Sequence, residues 1–341
     1  MKKVLVTTVP GLEDLLLKEI ETILPGQGEI RSGRVIYSTP SSLTTEVLSQ
    51  LITSLTLAEK VHLVLIEGKA HSLDDVKGLV RDNLYIIEGL LKSSTCFAVE
   101  AVREGAHAFT SVDVAREVGA AIQELEPRPP VSLDDPDLVF HTELIGSEFR
   151  LAIDLTPFIS LRDRGYRVYV HPSSLNPVVA RAMVKIAGIR NGEILLDPMC
   201  GGGTIVIEAL LENASAYCIG FDVNPIHVRG ARLNAAAAGV NAEFGVANAV
   251  NLQRMFRRGV DLIVTNPPYG IREKAVSGKI RLYESLIEGA YRILTDEGRL
   301  IILSPLKKLV ERIAFRYQWR STYTRRTEIG GLVTYIYLFK K

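Results

Sequence analysis

The stretch Leu195 to Thr204, "LLDPMCGGGT", decides the fold. It ends a short apolar run, "EILLD", and opens a helical pattern, "TIVIEALLEN". A strand that leaves through glycines into a helix is the crossing at which open parallel sheets bind nucleotides. Glycine lets the backbone take positive φ and approach a ligand closely. The turn is not GxGxxG, because Pro198, Met199 and Cys200 stand where that fingerprint needs glycine. No GK[ST] follows, so it is not a P-loop either. A pyrophosphate ligand is disfavoured, and Cys200 reads as a small residue of the loop.

Outward from this turn the chain alternates. After a helix, "VVARAMVKIAGI", short apolar strands "EILLD", "AYCIGFDV", "AEFGVA", "VDLIVTN" and "GRLIILS" are interspersed with amphipathic helices. This implies an α/β class, a mainly parallel, doubly wound sheet. The last two strands, "QWRSTYTRRTEI" and "LVTYIYLFK", are joined by Gly330-Gly331 and should be antiparallel.

Three further strand ends carry polar groups. Asp222 ends the second strand, twenty-five residues after Asp197. A carboxylate there can accept both hydroxyls of a ribose. Asp197 can meet an ammonium. An amino-acid amine plus an adenosine without phosphates describes S-adenosylmethionine. Asn248, after the third strand, could face the adenine edge or simply make a turn. Asn266 ends the fourth strand in "VTNPPYG", Val264 to Gly270. Pro267 and Pro268 fix φ and remove two backbone donors. Carbonyl oxygens are left to converge with the Asn266 side chain on an amine bearing two N–H groups. Such an amine, delocalised into a ring or carbonyl, is a poor nucleophile. Fixed acceptors favour its pyramidal form and stabilise the positive charge that develops on nitrogen, an effect of about 3 kcal/mol per group. Tyr269 offers a ring for stacking on a base. Cytosine-C5 methylation needs a cysteine at this corner, and no cysteine follows Cys218. Adenine N6 and protein glutamine N5 pose the same electronic problem as guanine N2.

The N-terminal half reads differently. Residues 1–68 combine strands "KKVLVTT", "GRVIYST" and "KVHLVLIEG" with two helices, a βαββ-like α+β unit. In residues 69–155, "SLDDVKGLVRDNLYIIEGLLKSS" reads as one long helix capped by Ser72. "CFAVEAV" is a strand, and "SVDVAREVGAAIQEL" a helix capped by Ser111. "LVFHTELIG" and "SEFRLAIDL" form a hairpin about Gly146-Ser147. Residues 156–176 are a basic, aromatic connection, either a solvated linker or a phosphate contact.

The catalytic motifs "LLDPMCGGGTIVIEA" and "TNPPYG" resemble the class I, S-adenosylmethionine-dependent amino-methyltransferases. "RDRGYRVYVHPSSLNPVVARAM" and "FAVEAVREGAHAFTSVDVAREVGAAI" resemble the THUMP-containing tRNA guanine-N2 methyltransferases, and the likeness covers nearly the whole chain. The resemblance implies a ferredoxin-like region over 1–68, a THUMP domain over 69–155, a linker over 156–176 and a Rossmann-like methyltransferase domain over 177–341. It implies a guanosine in tRNA as substrate, with the acceptor stem and 3′ end held through THUMP. Asn rather than Asp at the catalytic corner matches the members that modify position 6 rather than position 10. Carried over residue by residue, the cofactor would touch His171, Ser174 and Leu175, then Asp197, Cys200, Gly201, Gly203, Asp222, Val223, Asn248, Ala249 and Asn266. Asn248 departs from the pattern, because an Asp is common there. A guanine paired in a stem has to be flipped out to reach the corner.

The formal net charge of +1 hides blocks of one sign. From Ile301 onward nine bases oppose two acids, and from Arg162 to Arg190 six bases oppose one. Arg162, Arg164, Arg167, Lys307 and Lys308 are therefore candidates for RNA phosphate, against a bland reading of solvated surface. The three cysteines show no CxxC spacing, so neither a disulfide framework nor a metal site is expected, and a cytoplasmic setting fits. No run is long and apolar enough to span a membrane. Glu13 and Asp14 come too early for a signal peptide. A monomer is expected. A tRNA-binding protein without activity would tolerate a decayed cofactor turn, whereas here Asp197, Gly201 to Gly203, Asp222 and Asn266 are all present.

Overall fold

A computed structural model describes residues 1–91, 95–126, 128–256, 259–269 and 276–341. Contacts divide the chain into two units, residues 1–8 with 16–161 and residues 9–15 with 162–341.

The first unit contains β1 (Lys2–Thr7), α1 (Glu13–Ile23, from Leu16 onward), β2 (Gln27–Arg31), β3 (Arg34–Thr39), α2 (Thr45–Ser54) and β4 (Lys60–Lys69). It continues with α3 (Leu73–Arg81), α4 (Leu84–Glu88), β5 (Phe97–Glu104), α5 (Ser111–Ile122), β6 (Leu138–Ile145) and β7 (Glu148–Asp154). Its strands form one sheet in the order β2-β3-β1-β4-β7-β6-β5. Strand β4 pairs with β7, so the sheet runs on across residue 69. The hairpin β6–β7 turns at Gly146, φ +59°, as the sequence implies.

Three local readings need correction. Strand β2, "QGEIR", is almost wholly exposed and carries no apolar alternation to announce it. The long helix over 72–94 is two helices. The Asn83 side chain donates to the Leu79 carbonyl at 2.9 Å, a local bond that competes with the helical ladder and ends α3. Ser72 does cap α3, in a capping box with Asp75. Residues 92–94 of that reading lie outside the described residues. The cap of α5 is Thr110, not Ser111, because Asp113 completes a capping box with Thr110.

The second unit contains α6 (Pro177–Ala187), β8 (Ile194–Asp197), α7 (Thr204–Glu212), β9 (Tyr217–Asp222), α8 (Pro225–Ala238), β10 (Glu243–Val246), α9 (Leu252–Met255) and β11 (Val260–Thr265). It ends with α10 (Val276–Ile293), β12 (Leu294–Ser304), α11 (Lys307–Arg316), β13 (Arg320–Ile329) and β14 (Leu332–Lys340). The sheet order is β10-β9-β8-β11-β12-β14-β13. Strands β8 to β12 pair in parallel. Strand β14 is antiparallel to both β12 and β13. The chain order reverses between β8 and β11, which makes the switch point where such sheets open a crevice.

Leu196, Ile263, Leu300 and Ile302 of this sheet pack with Ile287 and Ile293 of α10 and Ile313 of α11, all fully buried. Each such side chain stabilises the fold by about 1.5–3 kcal/mol. The strand ends above them are thereby held on a rigid base.

Candidate active site

At the switch point a cavity of about 760 Å³ opens over the strand ends. Asp197 closes β8, Asp222 closes β9, Asn248 follows β10 and Asn266 follows β11, and all four line this one cavity. Register explains the convergence. Asp197 pairs with Gly220 and Val246 with Asp222, so the parallel strands finish within a few residues of one another.

The glycine turn is built backbone first. Cys200 donates to the Phe221 carbonyl at 2.8 Å, and Gly201 donates its N–H to Asp222 Oδ2 at 2.9 Å. Gly201 has φ +52°, and a Cβ there would stand 2.8 Å from His171 Nε2. Gly203, φ +81°, starts α7 without a side-chain cap. A side chain at either position would be strained and would fill the turn.

Asp222 also accepts the Asn224 N–H on Oδ1 at 2.8 Å, and Asn224 caps α8 in its place. Its carboxylate remains on the cavity wall, where it can meet a diol. Asp197 is 1% exposed and accepts the Met199 N–H at 3.1 Å. Burial pushes its carboxyl up to about 7, and the neighbouring Asp222 charge adds to the rise. Among the described residues no cation offsets this charge. A buried carboxylate of this kind can accept an incoming ammonium. The carboxylate pair, the glycine cradle and the uncompensated buried charge fit an adenosine carrying an amino-acid tail.

The corner holds a detail that the sequence does not announce. The Tyr269 hydroxyl donates to Asn266 Oδ1 at 2.6 Å. One lone pair of the acceptor is engaged, and one is left for an amine. Pro267 and Pro268 line the same cavity. Gly270, the last residue of the motif, lies outside the described residues.

The other expected cofactor residues also gather here. His171, Ser174, Leu175, Cys200, Gly201, Val223 and Ala249 all line the cavity, whereas Gly203 shapes the turn without lining it. The Asn248 side chain accepts the Val250 N–H at 3.1 Å, so it makes a turn as well as facing the cavity. His227, Asn224 and Leu282 line it too and escaped sequence reading, because none belongs to a strand end or glycine run.

The RNA candidates do not come together in this way. Arg164 pairs with the fully buried Glu208 at 3.2 Å and its side chain is only 17% exposed. Arg162 is 52% exposed, and Arg167 is half-buried. Lys307 and Lys308 are exposed at the first turn of α11.

Two family models match the chain. The RMKL-like methyltransferase domain matches residues 164–335, and the THUMP domain matches residues 72–154. A tRNA (guanine(6)-N2)-methyltransferase of Archaeoglobus fulgidus is 31% identical, over 98% of this chain and 91% of that protein. The chain belongs to the THUMP-containing, S-adenosylmethionine-dependent tRNA (guanine-N2)-methyltransferase family. A tRNA (guanine(6)-N2)-methyltransferase of Thermus thermophilus is 33% identical over 98% of both chains. The crystal structure of TrmN from Thermus thermophilus superposes with a TM-score of 0.87 at 32% identity, covering both chains fully. The class I fold of this methyltransferase is shared with that structure. The THUMP match implies RNA binding. No group of metal ligands occurs among the described residues, and none of their helices is long and apolar enough to cross a membrane.

Proposed function

We propose that this chain transfers the methyl group of S-adenosylmethionine to the exocyclic N2 of a guanosine in tRNA, at position 6 of the acceptor stem. The observation that carries the reading is the convergence of Asp197, Asp222 and the Asn266–Tyr269 corner on one cavity. The cofactor supplies an electrophilic methyl on a sulfonium. Asp197 takes its ammonium and Asp222 its ribose hydroxyls, with Asn248 and Ala249 at the base and His171 to Leu175 across the opening. Asn266 and the proline corner accept the hydrogens of N2, which localises the nitrogen lone pair and stabilises charge as it develops. Tyr269 holds Asn266 and offers its ring to the guanine. A paired guanine has to leave its helix first, at roughly a few kcal/mol.

Asn at the corner and the two position 6 relatives support the acceptor stem. THUMP would hold the 3′ end, and Arg162, Arg167, Lys307 and Lys308 would meet phosphates. Lys308 is exposed on the first turn of α11, and Lys307 beside it lies 4.0 Å from Glu311 and over the Tyr335 ring, which leaves its charge at the surface. A monomer acting in the cytoplasm fits three unpaired cysteines and a tRNA substrate.

The test is to incubate the protein with labelled cofactor and unmodified tRNA, then locate the methylated nucleoside by digestion and mass spectrometry. N2-methylguanosine at position 6 is expected. Label at position 10, on adenine N6 or on a protein glutamine would replace the assignment, and no label would favour a tRNA-binding role without catalysis. Asn266→Ala should lower kcat by about 10²–10³ while S-adenosylhomocysteine still binds.

A further inference from the structure

Residues 169–175 form a strap whose later part, His171 to Leu175, walls the cavity. Helix α8 receives the strap along one stripe. His227, Gly230 and Asn234 stand at i, i+3 and i+7, the spacing of one helical face. His227 stacks on His171, with ring centroids 4.4 Å apart and planes 8° from parallel. Gly230 leaves the space that Tyr169 fills, since a Cβ there would lie 2.0 Å from the Tyr169 ring. Asn234 is 2% exposed. Its Oδ1 accepts the Tyr169 N–H at 2.7 Å, and its Nδ2 donates to the Tyr169 carbonyl at 2.9 Å. The second Nδ2 bond, 2.8 Å to the Gly202 carbonyl, reaches the glycine turn.

We infer that Asn234 is a positioning residue of the cofactor site, holding the strap and the glycine turn in register so that both walls close on one ligand. Its chemistry fits the task closely. The position needs one acceptor and two donors in a planar group, and asparagine is the side chain of that length that has them. Aspartate would keep the acceptor but set its second oxygen against two carbonyls. An unpaired buried polar group is costly, so an amide here in the run "ARLNAAAA" stands only because every bond is met. Asn234 touches neither ligand nor reacting atoms and acts through Tyr169 and Gly202.

This inference rests on reading the cavity as the cofactor site, and the test separates the two. Titrate S-adenosylhomocysteine into the full chain by calorimetry, and measure KM for S-adenosylmethionine and for tRNA, in wild type, Asn234→Asp and Gly230→Ala. Alanine is a better helix former than glycine, so Gly230→Ala keeps α8 while displacing Tyr169, and it decides the question alone if Asn234→Asp does not fold. A positioning role predicts at least tenfold weaker S-adenosylhomocysteine binding and a matching rise in KM for the cofactor, with KM for tRNA within twofold of wild type. A merely structural role would lower the melting temperature and leave the cofactor affinity of the folded protein within twofold, and that result overturns the inference. Wild type that binds no S-adenosylhomocysteine overturns the cavity assignment and this inference with it.

Discussion

Lowering the pH from 8 to 6 should weaken S-adenosylhomocysteine binding about tenfold through Asp197. Burial raises this carboxyl to about 7 in the free protein. An ammonium needs the ionised form. With that midpoint the ionised fraction is roughly 0.9 at pH 8 and roughly 0.1 at pH 6, a ratio near ten that corresponds to about 1.4 kcal/mol. Stability should run the other way. The folded-state value lies above the ordinary 3.8, so the folded protein holds a proton that the unfolded chain releases. That contribution is complete below about pH 4 and is lost as pH rises through about 7. This contribution to free-protein stability therefore falls over the same range in which ligand affinity rises. Other groups titrate nearby. The His171 imidazole is lowered by burial, with His227 beside it adding to the fall, so its charging belongs to the acid end of the range. The Asp197→Asn variant isolates the carboxylate, because it keeps the shape and removes the titration. Calorimetry between pH 6 and 8 at constant ionic strength should show wild-type affinity rising and the variant weak and flat. A flat wild-type profile, or a slope retained in Asp197→Asn, would refute the assignment of Asp197 to the ammonium.

Other outcomes follow from the same geometry. Gly201→Ala should lose about 1–2 kcal/mol from its positive φ alone and weaken cofactor binding by pushing on His171, read by urea unfolding and calorimetry. Glu208→Ala should cost about 3 kcal/mol in urea unfolding, since it removes the partner of Arg164 and of the buried Arg181, whose Nε lies 2.7 Å away. Replacing Lys307 and Lys308 with Ala should weaken tRNA binding and reduce the slope of log K against log salt by roughly 0.7–0.9 for each phosphate that is no longer neutralised. An unchanged slope would remove both lysines from the RNA surface.

Much of the site was legible because its chemistry sits at the ends of strands, and strand ends are local features. "LLD" followed by glycines, "GFD" and "TNPPY" each join an apolar run to a polar tip. Parallel strands with helical crossovers bring such tips to one edge. The polar edge strand β2 was not legible, since nothing apolar marks it. The break in the helix after Arg81 was hidden as well, because it turns on one side-chain bond from Asn83.

By itself, the sequence determined the doubly wound fold class, the strand ends that bear Asp197, Asp222 and Asn266, and the electronic problem that the proline corner can solve. Those follow from periodicity and from residue chemistry within a few positions. The tertiary structure alone decided what depends on contacts between distant residues. It placed β14 between β12 and β13, tied Arg164 to Glu208, and set the Tyr269 hydroxyl on Asn266. It also joined the strap to the glycine turn through Asn234. On a helix a lone asparagine or arginine looks the same whether it faces water or a buried partner, and only packing distinguishes the two.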